Sequence, residues 1–507
     1  MTRPTFANNW IPVNYWWIYL AAVCAWMVVT SLLVPEAPGG DIFILKDPGI
    51  NLATGHGYVS CSMPDNPSLD FKVHASYPPV FPMLYAGYVS VFGFGGKQNM
   101  YFELACWALR NASLLVIVFL IIDSSRIRKI FLAICCLTIP ISLGAQDRPE
   151  DLSLAFVFLS LALVYSANRV QAVILASLIN GITCFMHPFG GIITILTGSV
   201  LLLTQLHQRP ELNRVQWLGA WILPPFVLII SVWITLEAIA PDLVRRFLVH
   251  GTQVGGIHFV ATSDGRALWW GSFLSEFEFN YPVMIQCIAL VLVELLNLVF
   301  FWRFGGRRNF IVFLLVLLWF LTPFLVFFSS FAYRPYAAIT LTVFTSLWLC
   351  SLSQKPKALI LFCLGIAILL LGITPIFAKS FIARCLLTVS NDYDRTQIHR
   401  FIPEDPQGKF FVAADPSDYF DLKATNKIYY SSYSPLDQSV KYMLILDDPG
   451  LLARIHQNKP TYPPGYVPEE WEVIHCPDIK MGNFLRFFIV PQLLGTSAKT
   501  VYRRKSP

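Results

Sequence analysis

The chain has 507 residues, 55% of them hydrophobic, 15% aromatic and only 13% charged, with a formal net charge of +6. A soluble protein carries about 25% charged residues, so a water-soluble enzyme is excluded. Runs of about 20 apolar residues, enough to cross a ~30 Å hydrocarbon core, make this a polytopic membrane protein. The positive balance then reads as positive-inside loops rather than as a nucleic-acid surface.

MTRPTFANNWIPVN leads into YWWIYLAAVCAWMVVTSLLV. That run is too long and Trp-rich for a signal peptide and no small-residue cleavage site follows it, so it is expected to be a retained first span at 15–34. Further spans are expected near 103–123, 129–145, 151–167, 170–187, 190–206, 216–238, 281–302, 309–328, 335–352 and 358–378, about eleven in all. The segment YPPVFPMLYAGYVSVFGF at 77–94 is either a span or a helix on the surface. Charge counting decides between them. If 77–94 does not cross, the short inside loops hold Arg3, Arg126, Arg128, Lys129, Arg169, Arg209, Arg214, Arg303, Arg307, Arg308, Lys355 and Lys357, against only Arg148 and Arg334 in the short outside loops. If it crosses, the bias reverses. The segment is therefore expected to be interfacial, with Tyr77, Tyr85 and Tyr88 suited to the headgroup layer.

This topology puts the N-terminus in the cytoplasm and gives an α-helical polytopic membrane domain over 1–378, with outer loops at 35–102 and 239–280. A soluble outer-face domain follows at 379–507. Its strand-like pieces (KFFVAA, KIYYSS, KYMLILDD, EWEVIHC, FLRFFIVP) alternate with helix-like ones (SDYFDLKA, PGLLARIHQ), the pattern of a small α/β domain. Cysteines are scattered singly apart from Cys135 and Cys136, with no CxxC to suggest zinc. Cys61, Cys385 and Cys476 could pair on an oxidising side, but connectivity is not readable from sequence.

Acids gather at the outer edge. In GGDIFILKDPGINLATGHGY, residues 39–58, Pro48 suits the first position of a short helix, Asp47 its N-cap and Gly55 its stop. Asp41 follows two glycines and precedes IFIL, so its carboxylate is expected against apolar surface, a placement that raises a carboxyl pKa and makes a usable base. The plainer alternative is an unconstrained loop acid. A second group, GAQDRPEDLS at 144–153, brings Asp147, Arg148, Glu150 and Asp151 to a span junction. Capping and local neutralisation account for one or two of these charges, and their concentration at a membrane boundary points to a site. His187 in MHPFGG reads first as an interface residue and second as a ligand. Arg334, between Tyr333 and Tyr336, either snorkels or holds a lipid phosphate through paired hydrogen bonds. Arg245, Arg246, His250 and His258 add basic character in the second outer loop, suited to headgroups.

The chain has no GxxxxGK[ST], no strand-flanked GxGxxG and no GxSxG. For a transferase, their absence points away from a cytosolic nucleotide donor, and a lipid-borne donor fits a site at the outer bilayer surface. At this point the pattern resembles the GT-C superfamily of membrane glycosyltransferases, the group of protein O-mannosyltransferase-like and aminoarabinose-transferase-like enzymes. The likeness is carried by GD followed by NLATGHGY, by YPPVFPMLYAGYVSVFG, by the RPE of DRPEDLSLAFVFLSLAL and by RPY at 334–336, spread over about residues 15–380. One departure is that Ile42 follows Asp41 where the family often has Asp-Glu.

The resemblance implies an inverting transfer of a sugar from a polyprenyl-phosphate donor to an acceptor hydroxyl on a lipid, glycan or protein. Asp41 would be the general base, with Asp147 and Glu150 also at the catalytic site, there to orient the acceptor, hold a basic residue or bind a metal. Arg148, Arg334 and Lys46 would be phosphate partners, and Asp47, Tyr77, His187 and Tyr336 would line the substrate site. It allows a divalent metal and requires no certain cofactor. It further implies a bacterial inner membrane, with the C-terminal domain in the periplasm. Two rivals stand beside it: a polytopic lipid or glycan transporter, which would place its charges nearer the bilayer midplane, and a non-catalytic scaffold.

Overall fold

A computed structural model of the chain describes residues 12–33, 42–60, 72–73, 77–138 apart from 123, 149–239, 241, 295, 298–299, 301–326 and 333–353. Towards the C-terminus it describes 400–405, 407, 409–414, 422–423, 426–430, 436, 438–445, 462–463, 465–476 and 499–505.

The protein is mostly helical. In chain order come α1 (Val13–Leu33), α2 (Ile42–Leu45), α3 (Asp47–Ala53), the paired strands β1 (Val59–Ser60) and β2 (Lys72–Val73), and α4 (Val80–Phe92). Then follow α5 (Gly96–Ile121), α6 (Ser125–Leu137), α7 (Glu150–Ser166), α8 (Val170–Met186), α9 (Pro188–Gln208) and α10 (Arg214–Ile239). A π-helical turn at Phe301–Gly305 leads into α11 (Gly306–Val326), and α12 covers Tyr333–Ser353.

Among the described residues, Val13–Leu32, Gly96–Ile121, Gly190–Gln208 and Arg214–Ala238 are helices long and apolar enough to cross a membrane. Val80–Phe92, Val170–Met186 and Ile339–Leu352 are shorter apolar helices. Of the span expected at 129–145 the structure describes only α6, which starts earlier, has 13 residues and is not among the helices long and apolar enough to cross; 139–148 lie outside the described residues. Only the end of the span expected at 281–302 is described, and 358–378 lies outside.

α4 has 13 residues, about 20 Å of helix, too short for a ~30 Å core. One stripe of α4, formed by Phe81, Pro82, Tyr85, Ala86 and Val89, is buried, while Met83, Leu84, Val91 and Phe92 stay exposed. The interfacial placement expected of Tyr85 is thereby corrected. It sits fully buried with its ring edge-on to Phe102 at 4.9 Å, because its helical spacing puts it on the stripe facing α3 and α5. α3 approaches α4 closely at Gly49, where a Cβ would overlap the Pro82 carbonyl oxygen.

The bundle behind these short helices packs α5 on α7, α7 on α8 and α9, and α8 on α10. α10 contains Pro224 and Pro225, and Pro225 has no N–H for the carbonyl one turn back. That carbonyl belongs to Trp221, and the Ser177 hydroxyl of α8 donates to it instead at 2.5 Å. A proline defect in one helix thus becomes a tie to the next. At the other end of α7, the Gln205 amide donates to the Val164 and Tyr165 carbonyls at 2.8 and 3.0 Å, satisfying groups that a helix end leaves open.

Among the described residues, the C-terminal region forms a five-stranded sheet in the order β4-β3-β5-β7-β6. β3 (Phe411–Ala414) runs parallel to β4 (Lys427–Tyr430) and β5 (Val440–Ile445). β7 (Thr500–Arg504) pairs antiparallel with both β5 and β6 (Trp471–His475). The strand-like FLRFFIVP at 484–491 lies outside the described residues, and β7 was not anticipated. TVYRR looks like a basic tail, yet Val501 and Tyr502 are buried, and Arg503 and Arg504 pair across strands with Glu472 and Glu470 at 2.6 and 3.1 Å, which favours this register.

One apolar core joins the two regions. It contains Ile42, Leu45 and Ile50 of α2 and α3, Phe81 and Tyr85 of α4, Phe102 of α5, Leu152 of α7 and Met186 of α8. It continues into Ile402, Val412, Leu422, Leu444 and Val501 of the C-terminal region. The sheet therefore rests on the short helices that follow α1.

Candidate functional site

The polar residues lie where the α2–α3 junction reaches α5 through Lys46, and where α7 begins, α8 ends and α9 begins. Lys46 separates α2 from α3 and is completely buried. Its ammonium donates to Asn99 Oδ1 at 2.5 Å, forms an ion pair with Glu103, and lies 5.0 Å from the centre of the Tyr85 ring. A buried ammonium is tolerated only with such compensation.

α3 begins one residue earlier than expected. Lys46 occupies the N-cap position, Asp47 is the first helical residue and no side chain caps the helix. The capping role assigned to Asp47 is thus corrected: its carboxylate turns instead to Lys423, 2.7 Å away, and accepts from Asn51 Nδ2 at 3.1 Å. Lys423 also donates to Asn51 Oδ1 at 3.0 Å. Asn51 in turn donates to the Val59 carbonyl at 2.7 Å, which fixes the turn following α3. Gly55 makes that turn with φ +84, a left-handed conformation that favours glycine.

Deeper in the bundle, Arg110 of α5 pairs with Asp151 at 2.7 Å, both side chains buried, and the guanidinium lies 3.4 Å from the centre of the Trp107 ring. The cap of α7 is Pro149 rather than Asp147 or Asp151, since the helix starts at Glu150 and Asp151 is committed to Arg110. Glu103 and Arg110 are separated by about two turns, on one face of α5. Cys106 lies between them, within electrostatic range of Glu103, Lys46 and Asp151.

His187 links α8 to α9. Contrary to the interface placement, it is fully buried, because it follows the last turn of α8 and caps α9 from inside the bundle. Its Nδ1 accepts the Gly190 N–H at 3.3 Å, so the neutral ring carries its proton on Nε2. Nε2 faces Glu150 Oε1 at 4.0 Å.

Nearer the surface, burial raises the Tyr58 phenol well above its usual range. Burial, with Tyr101 nearby, pushes the Tyr88 phenol up to about 12. Tyr77 is half-buried against the shared core. Asp41, Asp147 and Arg148 lie outside the described residues, as do Arg245, Arg246, His250 and His258. Arg334 and Tyr336 are in the first turn of α12. Cys476 is a free, exposed thiol, and Cys61 and Cys385 lie outside the described residues.

The sequence reading missed Asn51, Asn99, Glu103, Arg110 and Lys423. For Glu103 and Arg110 the signal was available: ionisable residues inside an apolar segment mark function by default. For Lys423 there was none, since its partners are distant in sequence.

Among the described residues, no group of three or more His, Cys, Asp or Glu side chains comes together that could hold a metal ion. Glu103, Asp151 and Asp47 each face a cation of the chain. This donor set fits a charge-paired scaffold and does not form a divalent-metal cage.

No protein-family model matches this chain, and no curated protein matches it. Among solved structures, it is similar to ArnT from Cupriavidus metallidurans. The crystal structure of that protein bound to undecaprenyl phosphate is 12% identical, with a TM-score of 0.48 over 82% of this chain and 86% of that chain. Its apo-state crystal structure is 14% identical, with a TM-score of 0.42 over the same shares.

Proposed function

We propose that this chain is an integral-membrane glycosyltransferase that moves a sugar from a polyprenyl-phosphate donor to an acceptor hydroxyl on the outer face of a bacterial inner membrane, with inversion. The observation that carries the reading is the convergence of motif residues. Lys46 and Asp47 from the first outer segment, Glu150 from the RPE motif and His187 from the α8–α9 junction are all buried, each within two residues of Leu45, Leu152 or Met186 in the core that short helices, bundle and C-terminal sheet share. A purely structural membrane bundle has little reason to desolvate so many ionisable groups at one end.

In this mechanism Asp41, six residues before Asp47 along the chain, removes the acceptor's proton as its oxygen attacks the anomeric carbon. The lipid phosphate leaves as an anion, and Arg148 and Arg334 stabilise it by charge-assisted hydrogen bonds. Lys46 acts from its pair with Glu103 and sets the local potential. Glu150 and His187 position the acceptor, the ring offering its Nε2 proton and the carboxylate an acceptor oxygen. Asp147 supports this pair, and Tyr77 and Tyr336 line the entry. The exposed apolar face of α4 suits lateral entry of a polyprenyl tail. No step is assigned to a metal.

The test is transfer by the purified protein, supplied with a panel of undecaprenyl-phosphate-linked sugars and cell-envelope acceptors. Asp41→Asn is expected to abolish transfer while leaving the fold intact, and full activity in that variant would remove the base assignment. Flux of a lipid-linked sugar across sealed vesicles, with no covalent product, would replace the enzyme with a transporter.

A further inference from the structure

The C-terminal region has no catalytic motif, yet among its described residues a charged side chain reaches into the site. Lys423 lies next to Leu422, which is completely buried in the core shared with α2, α3 and α4. From that anchor its ammonium reaches Asp47 Oδ1 at 2.7 Å and Asn51 Oδ1 at 3.0 Å. Its side chain is 14% exposed, against 2% for Asp47. Asp47 and Asn51 lie one turn apart on α3, so the ammonium clips two successive turns of that helix. Asn51 carries the tie onward to the Val59 carbonyl. The adjoining Lys46 is locked to Asn99 and Glu103 on α5. α3 is thus held from below by the bundle and from above by a residue 372 positions later in the chain.

A helix of only 7 residues has too few internal bonds to hold its own register. External ties must supply the precision, and precision in a site of this kind is worth orders of magnitude in rate.

We propose that Lys423 is a positioning residue for the transfer site: by fixing Asp47 and Asn51 it sets where α3 stands, so that only a chain with its C-terminal sheet seated is competent. This inference rests on the glycosyltransferase reading for its consequence in catalysis, while the positioning itself does not. Lys423 touches no reacting atom. It acts through Asp47 and Asn51.

The experiment compares full-length protein, Lys423→Met and Lys423→Arg in lipid nanodiscs. Where the wild-type protein turns over an undecaprenyl-phosphate-linked sugar, Lys423→Met is expected to lower kcat at least tenfold with the donor KM changed less than threefold. Lys423→Arg is expected to restore most of the loss. A purely adhesive role would instead lower thermal stability and leave kcat of the folded fraction unchanged, and that result overturns the proposal. A wild-type protein inactive on every donor tested would count against the enzyme reading alone. Hydrogen exchange then decides the positioning: Lys423→Met is expected to speed amide exchange over residues 47–60 at least tenfold while α7 and α8 stay protected. Unchanged exchange in that segment refutes it.

Discussion

Replacing Arg110 by Met removes one half of an ion pair that lies inside the bundle. The Nη1–Oδ1 separation is 2.7 Å, with side-chain exposures of 5% and 8%. At an effective dielectric of about 20 the attraction is on the order of 6 kcal/mol, and desolvating the two ions costs several kcal/mol each. The intact pair is therefore close to break-even. Its removal by halves is not: Arg110→Met leaves the Asp151 carboxylate buried without its counter-ion, for an expected loss of about 3–5 kcal/mol. Asp151→Leu should cost a similar amount for the reciprocal reason. The double variant Arg110→Met/Asp151→Leu replaces both charges with apolar volume and should recover most of the loss, staying within about 2 kcal/mol of wild type. The assay is reversible unfolding in mixed detergent, run as a double-mutant cycle on full-length protein. A double variant as destabilised as the sum of the singles would refute the reasoning, since the groups would then contribute independently.

Three further outcomes follow from the geometry. Gly49→Ala places a methyl against the Pro82 carbonyl and should destabilise the α3–α4 contact by about 1–3 kcal/mol; a melting temperature equal to wild type would show that α3 can shift at no cost. Cys476 is exposed and Cys135 is fully buried, so a membrane-impermeant maleimide added to intact cells should label the former and spare the latter, whereas labelling of Cys476 only in inverted vesicles would put the sheet on the other side. His475 stacks on Phe401 with ring centres 4.1 Å apart, and burial lowers its pKa. A histidine with a depressed folded-state pKa is protonated first in the unfolded chain. The protein should thus lose stability as pH falls below about 6.5, and His475→Phe should flatten that dependence in a pH series of thermal melts; an unaltered slope counts against it.

How much of this was legible in the sequence varies with the range of the interaction. Apolar runs gave the helices closely: 151–167 and 170–187 match α7 and α8 within a residue or two, because hydrophobicity over a window is a sum of local terms. The non-crossing character of 77–94 followed from loop charges, and the short α4 agrees with it. Strands β3 to β6 showed in alternation and β-branched content, whereas β7 is short and ends in two arginines whose partners lie on another strand. The helix start at Asp47 was placed one residue late, since cap preferences are weaker than the tertiary pull of Lys423 on the same carboxylate.

The sequence by itself determined that this is a helical membrane protein with a C-terminal strand-rich region and with acids concentrated in the segments around 41–47 and 147–151. These follow from composition, periodicity and charge bias, each additive along the chain. Only the tertiary structure decided which cation answers which acid: Lys46 to Glu103, Arg110 to Asp151, Lys423 to Asp47. Pairing in a dry interior depends on Å-scale distance and on the loss of water around both groups, and neither quantity is written in residues that stand tens or hundreds of positions apart.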